Sequence, residues 1–466
     1  MRNTAGGTPA LPEARRRMSI VEPTLLSLAR AAAVSLATLA VLLAAGPGVG
    51  FVSRPMRAFV LWMSLATLLM PGFAIGFFYF KEAMTQDAFG REQLHCVFTW
   101  LRYSPLALIV IWLMPPALSH EAMHCLRIGT SLPWWARRKW ELRAWGRGLW
   151  LGVTLVFLLA FQEFEFATTW NLRAWPVALF DAQAGGLALH ESLWLAALPF
   201  AIQAMLIAMF ALPVRSPEIM DAPHEAAASR AALSIIPAAI GFMFLWVPAG
   251  MIIIGGTATM FYVGGMKVLT LAPWREIWNG IGIAAAATML AWLFAGWIEN
   301  RRRTRWLFAL PGLLGPMLCG LVLLALLQVP PLHLLRDTIF PAVLGLALVL
   351  LPLALLLRLG IGTTRDDAAL HIARASGARR AAWRLDGWPR LCAVLMLFCF
   401  GCGDFTINSL LAPPQFTSAS VRLLNLLHYG RSDMLQIMFI LAFAVPFIAV
   451  LLTMLAARFY PLRRAS

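Results

Sequence analysis

Charge is what this chain has least of. Only 13% of its 466 residues are Asp, Glu, Lys or Arg, and 60% are hydrophobic. A water-soluble domain carries about 25% charged residues, so a water-soluble globular enzyme is excluded. Acidic residues are the scarcer sign, 22 against 38 Lys and Arg. The resulting +16 could suggest nucleic acid. No separate polar segment exists to carry such a site, and no nucleic-acid partner is expected. A G-x-x-x-x-G-K-[ST] phosphate loop is also missing, so the chain is not expected to bind ATP itself. No Ser-His-Asp arrangement stands out. The six cysteines, Cys96, Cys125, Cys319, Cys392, Cys399 and Cys402, read as small apolar packing residues rather than as metal or disulfide chemistry.

What the chain has instead is apolar runs of bilayer-spanning length, about 20 residues each. Eleven are readable, at about 30–52, 58–80, 104–118, 147–166, 192–213, 232–256, 277–298, 307–328, 338–358, 391–410 and 434–457. The fold class is therefore an all-α polytopic membrane protein of about eleven transmembrane helices (10–12). Arginines concentrate in alternate connections. The loops 119–146, 299–306 and 359–390 and the C-terminal tail are rich in them, whereas 167–191 has only Arg173 and 329–337 only Arg336. The positive-inside rule makes the rich loops cytoplasmic. The N-terminal tail, with Arg15, Arg16 and Arg17, falls on the opposite side of this arrangement.

Two of the basic loops are near-copies. Residues 123–147 read "MHCLRIGTSLPWWARRKWELRAWGR" and 370–390 read "LHIARASGARRAAWRLDGWPR". His124 and Arg127 match His371 and Arg374, the Arg pairs 137–138 and 379–380 match, and Trp140 and Trp145 match Trp383 and Trp388. Each copy precedes an apolar run ending in an acidic stretch, "FQEFEFATTW" at 161–170 and "GCGDFTINSL" at 401–410. The chain therefore divides into an N-terminal tail 1–23, a first half 24–213, a cytoplasmic linker 214–231 and a second half 232–466. Duplicated halves are common in transporters, whose substrates pass at the repeat interface. Two equivalent cytoplasmic loops call for a two-fold partner below the membrane.

The second copy resembles the coupling loop of type I ABC importer permeases, in which Glu-Ala-Ala, three residues and Gly lead to a late Pro. His371, Ile372 and Ala373 fill the first three positions, Gly377 fills the glycine, and Pro389 lies within one residue of the proline. The acidic position is His371, and in the first copy only Gly129 fits the glycine. The plan of two halves, each with a cytoplasmic loop before its last two spans, resembles the fused permeases of ferric-iron-type importers across nearly the whole chain. The resemblance implies a permease subunit in a bacterial inner membrane. A dimeric cytoplasmic ATPase, which binds the ATP, would dock on His124, Arg127 and Gly129 and on His371, Arg374, Gly377, Arg379 and Trp383. An external binding protein would deliver a small substrate, ferric iron by analogy. Trp383 is a candidate apolar anchor, and the arginines are candidates for charge-assisted pairs.

Glu163, Glu165 and Asp404 are the expected translocation-pathway residues, with Asn408 as a further lining residue. Ionisable groups at membrane depth usually face a protein interior or water. Equivalence of the halves would bring Glu163 and Asp404 near the pseudo-two-fold axis. A rival reading comes from "HEAMH" at 120–124. On a helix its spacing puts His120 and His124 on one face for zinc, with Glu121 as base. With "LDG" at 385–387 it is similar to site-2-type intramembrane metalloproteases. The second half keeps no such zinc pair, and LDG lies in an arginine-rich loop.

Overall fold

The computed structural model describes residues 20–49, 63–113, 133–210, 228–262, 274–299, 301, 305–364, 367–428 and 432–459. Among these residues every regular element is helical. The first part of the chain forms α1 (Val21–Val49), a helical run at 63–69, α2 (Gly72–Phe78), α3 (Phe80–Thr85), α4 (Ala88–Leu113), α5 (Trp134–Phe161), α6 (Glu165–Thr169), α7 (Trp175–Ala184) and α8 (Leu189–Phe210). After the 35-residue α9 (Ala228–Tyr262) come α10 (Trp274–Glu299), α11 (Arg305–Leu313), α12 (Gly315–Leu326), α13 (Phe340–Thr364), α14 (Asp367–Ala375) and α15 (Arg379–Ala382). The chain closes with α16 (Trp388–Cys402), α17 (Thr406–Leu411), α18 (Ala419–His428) and α19 (Ser432–Phe459).

Eight of these helices are long and apolar enough to cross a membrane, or nine if the bent pair α11–α12 is one span. The two expected runs outside that set are 58–80, whose helix is interrupted at Pro71, and 434–457, which lies within α19. Apolar side chains of the long helices point outward in quantity. Trp194, Ile254 and Phe261 are 79%, 71% and 83% exposed, as side chains facing lipid would be.

The packing pattern occurs twice. In the first part α1, α4 and α5 pack on one another, and α2 packs on α6. In the second part α10, α13 and α16 pack on one another, and α12 packs on α17. The pair α7–α8 has its counterpart in α18–α19. Both parts contain a broken helix at the matching place. One breaks at Pro71, and the other bends by 108° between Leu313 and Gly315, where Gly315 takes the left-handed φ of +88°. An L side chain there would be strained. Among the described helices α9 stands outside this pattern and packs against α1, α2, α4 and α19.

Among the described residues two Arg–Glu ion pairs and one His–Glu contact cross the interior of the first part. Arg30 on α1 donates to both carboxylate oxygens of Glu92 on α4, at 2.5 and 2.6 Å. His95 and Arg102, also on α4, reach Glu163 and Glu165. These pairs explain a boundary that the sequence misplaces. The third run is expected only from 104, but α4 begins at Ala88. Arg91, Glu92, His95 and Arg102 look too polar for a membrane helix, and three of them have partners inside the bundle. Paired charges cost far less there than isolated ones.

Candidate functional site

The site forms where α5 and α16 end. Each helix stops at a carboxylate that caps the short helix following it. Glu163 Oε1 accepts from the Phe166 N–H at 2.8 Å, and its Oε2 accepts from the Ala167 N–H at 3.2 Å. Asp404 Oδ2 accepts from the Ile407 and Asn408 N–H groups at 3.0 and 3.3 Å. In both segments the capped donors are three and four residues beyond the carboxylate. A free helix N-terminus presents unpaired N–H groups and a partial positive charge, so an acidic cap there is favourable. The residue after each carboxylate is phenylalanine. Phe164 and Phe405 stack across the boundary between the two parts, with centroids 5.6 Å apart and planes at 7°. Phe73 and Phe180 pack edge-on or tilted around that pair.

A cavity of about 200 Å³ lies at this junction. Its walls include Arg102, Tyr103, Gln162, Glu163, Phe164 and Glu165 from the first part, and Val349, Phe400, Asp404, Phe405 and Thr406 from the second. Both helix breaks reach it, through Pro71 on one side and Gly312, Leu313 and Pro316 on the other. Gln162 ties the parts together, donating to Leu313 O at 2.8 Å and to Gln203 Oε1 at 2.5 Å.

The carboxylates at the cavity differ in what they already hold. Glu163 faces His95 Nε2 at 3.1 Å, with both side chains 2% exposed or less. Glu165 Oε2 accepts from Arg102 Nη1 at 2.7 Å and from the Gly72 N–H at 2.6 Å. Asp404 has no cationic partner among the described residues, and its Oδ1 receives no hydrogen bond there. Asn408 is not on the cavity wall. It is 4% exposed, and its Nδ2 donates back to Asp404 O at 2.9 Å. Sequence reasoning brought out Glu163, Glu165 and Asp404. It missed His95, Arg102 and Gln162, whose only signal was polarity in otherwise apolar surroundings.

The basic loop of the second part is a solvent-facing helix–turn–helix. α14 ends in a Schellman turn. The Ala378 N–H donates to Ala373 O at 2.9 Å and the Gly377 N–H to Arg374 O at 3.2 Å. Gly377 occupies the left-handed position, with φ +69°. Asp386 fastens the turn from beneath, accepting from Arg374 at 3.0 Å and from Arg390 at 2.9 Å. It sits in a π-helical turn over Trp383–Gly387, where the Trp383 ring lies directly on the backbone of Gly387. His371, Arg374 and Arg379 are exposed, and so is the apolar Ile372, at 66%. The aspartate of LDG is thus engaged by two arginines.

His120, Glu121, His124, Arg127 and Gly129 lie outside the described residues. Among the described residues no cluster of three or more His, Cys, Asp or Glu could hold a metal ion. A second cavity, of about 340 Å³, is lined almost wholly by apolar side chains from the segment 69–74, α9, α16 and α19. Cys399 and Cys402 on its wall stand at C-x-x-C spacing, which the reading of the cysteines as packing residues passed over. No protein-family model, no curated protein and no solved structure matches the chain.

Proposed function

We propose that this chain is the permease subunit of an ABC importer in a bacterial inner membrane, passing a small substrate between two related halves. The observation that carries this reading is the pair of carboxylate-capped breaks at Glu163 and Asp404, meeting through Phe164 and Phe405 beside one cavity. Broken helices whose ends face a central cavity are how transporters put polar backbone at membrane depth. Glu163, Glu165 and Asp404 line the pathway. The exposed α14–Gly377–α15 turn is the docking element for one subunit of a dimeric cytoplasmic ATPase, with its counterpart at His124, Arg127 and Gly129. An external binding protein delivers the substrate, and the resemblance puts ferric iron among the cargoes to assay. ATP binding by the partner rocks the halves about the Phe164–Phe405 contact. No described observation favours the metalloprotease reading.

The test is Gly377→Glu in the native host. The variant should insert and accumulate normally while ATP-driven uptake through the complex is lost. Unchanged uptake by a variant of normal abundance would contradict the assignment.

A further inference from the structure

We propose that the cavity at the junction binds a small organic cation, an amine or quaternary ammonium, with Asp404 as its counter-charge. The inference rests on the permease reading for its direction of transport, but its argument is the chemistry of the cavity wall. Three carboxylates reach that wall, and two of them already face a basic side chain. Glu165 is held by Arg102 and the Gly72 N–H, and Glu163 by His95 and two backbone N–H groups. Among the described residues only Asp404 faces no basic side chain: Glu163 has His95 and Glu165 has Arg102.

The rest of the wall narrows the ligand class. Tyr103, Phe164, Phe400 and Phe405 line the same space as Asp404, and most of the remainder is aliphatic. A hard inorganic cation such as a ferric ion needs several oxygen ligands. One carboxylate without a basic partner, among aromatic rings, does not supply them. That combination suits a cation with its charge spread over carbon-bound substituents. Ring faces attract such a charge through their quadrupoles, and the aromatic cage is the usual receptor for quaternary ammonium. The space, about 200 Å³, admits a small organic molecule and is below the roughly 300–1,000 Å³ of sites for drug-sized ligands. The asymmetry also fits. A two-fold pair of bare carboxylates would hold two charges, and here the Glu163 side is already occupied by His95.

The experiment is calorimetric titration of the purified full-length protein in detergent with benzyltrimethylammonium chloride and, separately, with ferric nitrilotriacetate. Saturable binding of the ammonium ion is expected, weakened at least about tenfold in Asp404→Asn. The amide oxygen of asparagine can still cap α17. Should Asp404→Asn fail to fold, Val349→Phe fills the wall without touching the cap and must abolish ammonium binding. Equal affinity in the wild type and the folded variant would overturn the proposal, as would ferric binding without ammonium binding. An absent ammonium site beside a Gly377→Glu variant that still loses uptake would remove this ligand class alone. An intact ammonium site beside unchanged uptake in that variant would remove the permease reading.

Discussion

Phe164 and Phe405 stack at 5.6 Å with their planes 7° apart, although 240 residues of chain separate them and each directly follows a capping carboxylate. This contact fastens the two broken segments to each other and places Glu163 and Asp404 on the walls of one cavity. Replacing either ring with alanine removes both the stack and large apolar burial. Phe405→Ala should cost about 3–5 kcal/mol, seen as a lower thermal midpoint in detergent. Phe405→Leu should recover most of it.

Arg102 and Glu165 form a pair that is costly to break from one side. Arg102→Leu leaves the Glu165 carboxylate in the interior with only the Gly72 N–H as donor. Removing one partner of such a pair typically costs about 3–5 kcal/mol. The double variant Arg102→Leu/Glu165→Leu should be more stable than Arg102→Leu alone. A double variant no better than the single would show that the pair does not act as a unit. Thermal midpoints of the two variants, compared in one detergent, decide this.

Gly315 turns the chain at the 108° break with φ +88°, and a Cβ there would run into the side chain of Gln162. Gly315→Ala therefore meets backbone strain of about 1–2 kcal/mol together with displacement of the Gln162–Leu313 hydrogen bond. The expected result is a lower midpoint. Gly377 is different, because a Cβ there meets open space and only the left-handed φ of +69° resists it. Gly377→Asn should leave the thermal midpoint nearly unchanged and the β-branched Gly377→Val should lower it, with both variants still accumulating.

Asp386 holds Arg374 and Arg390 to the two arms of the basic turn. Asp386→Ala should leave the membrane helices in place while loosening the turn. Limited trypsin digestion should then cut faster after Arg379 and Arg380, both exposed. An unchanged cleavage rate would mean that the Schellman turn alone keeps the loop in shape.

Much of this architecture is legible in the sequence because lipid leaves the backbone few options. An apolar run of spanning length must be helical; the expected runs overlap described helices, of which eight, or nine with the bent pair α11–α12, are long and apolar enough to cross a membrane. The glycine of the basic loop is legible for a similar reason, since a left-handed turn between two helices selects it. The sequence is less informative where charges compensate one another in three dimensions. Arg30, Glu92, His95 and Arg102 read as polar flanks until their partners are seen. Pairing between Glu163 and His95 crosses 68 positions and leaves no local pattern. Asp386 is visible in sequence only as part of LDG, and its grip on two arginines is a tertiary fact. The breaks at Pro71 and Gly315 lie inside continuous apolar runs, so hydropathy passes over them.

The most direct measurement of the central claim is purification of the full-length protein from its native membrane in mild detergent, followed by assay for ATP hydrolysis and for bound metal. The permease account predicts a co-purifying ATPase at two nucleotide-binding subunits per chain, lost when Gly377 is replaced by glutamate. A chain that elutes without ATPase activity and carries one tightly bound zinc, released by His120→Ala, would contradict it.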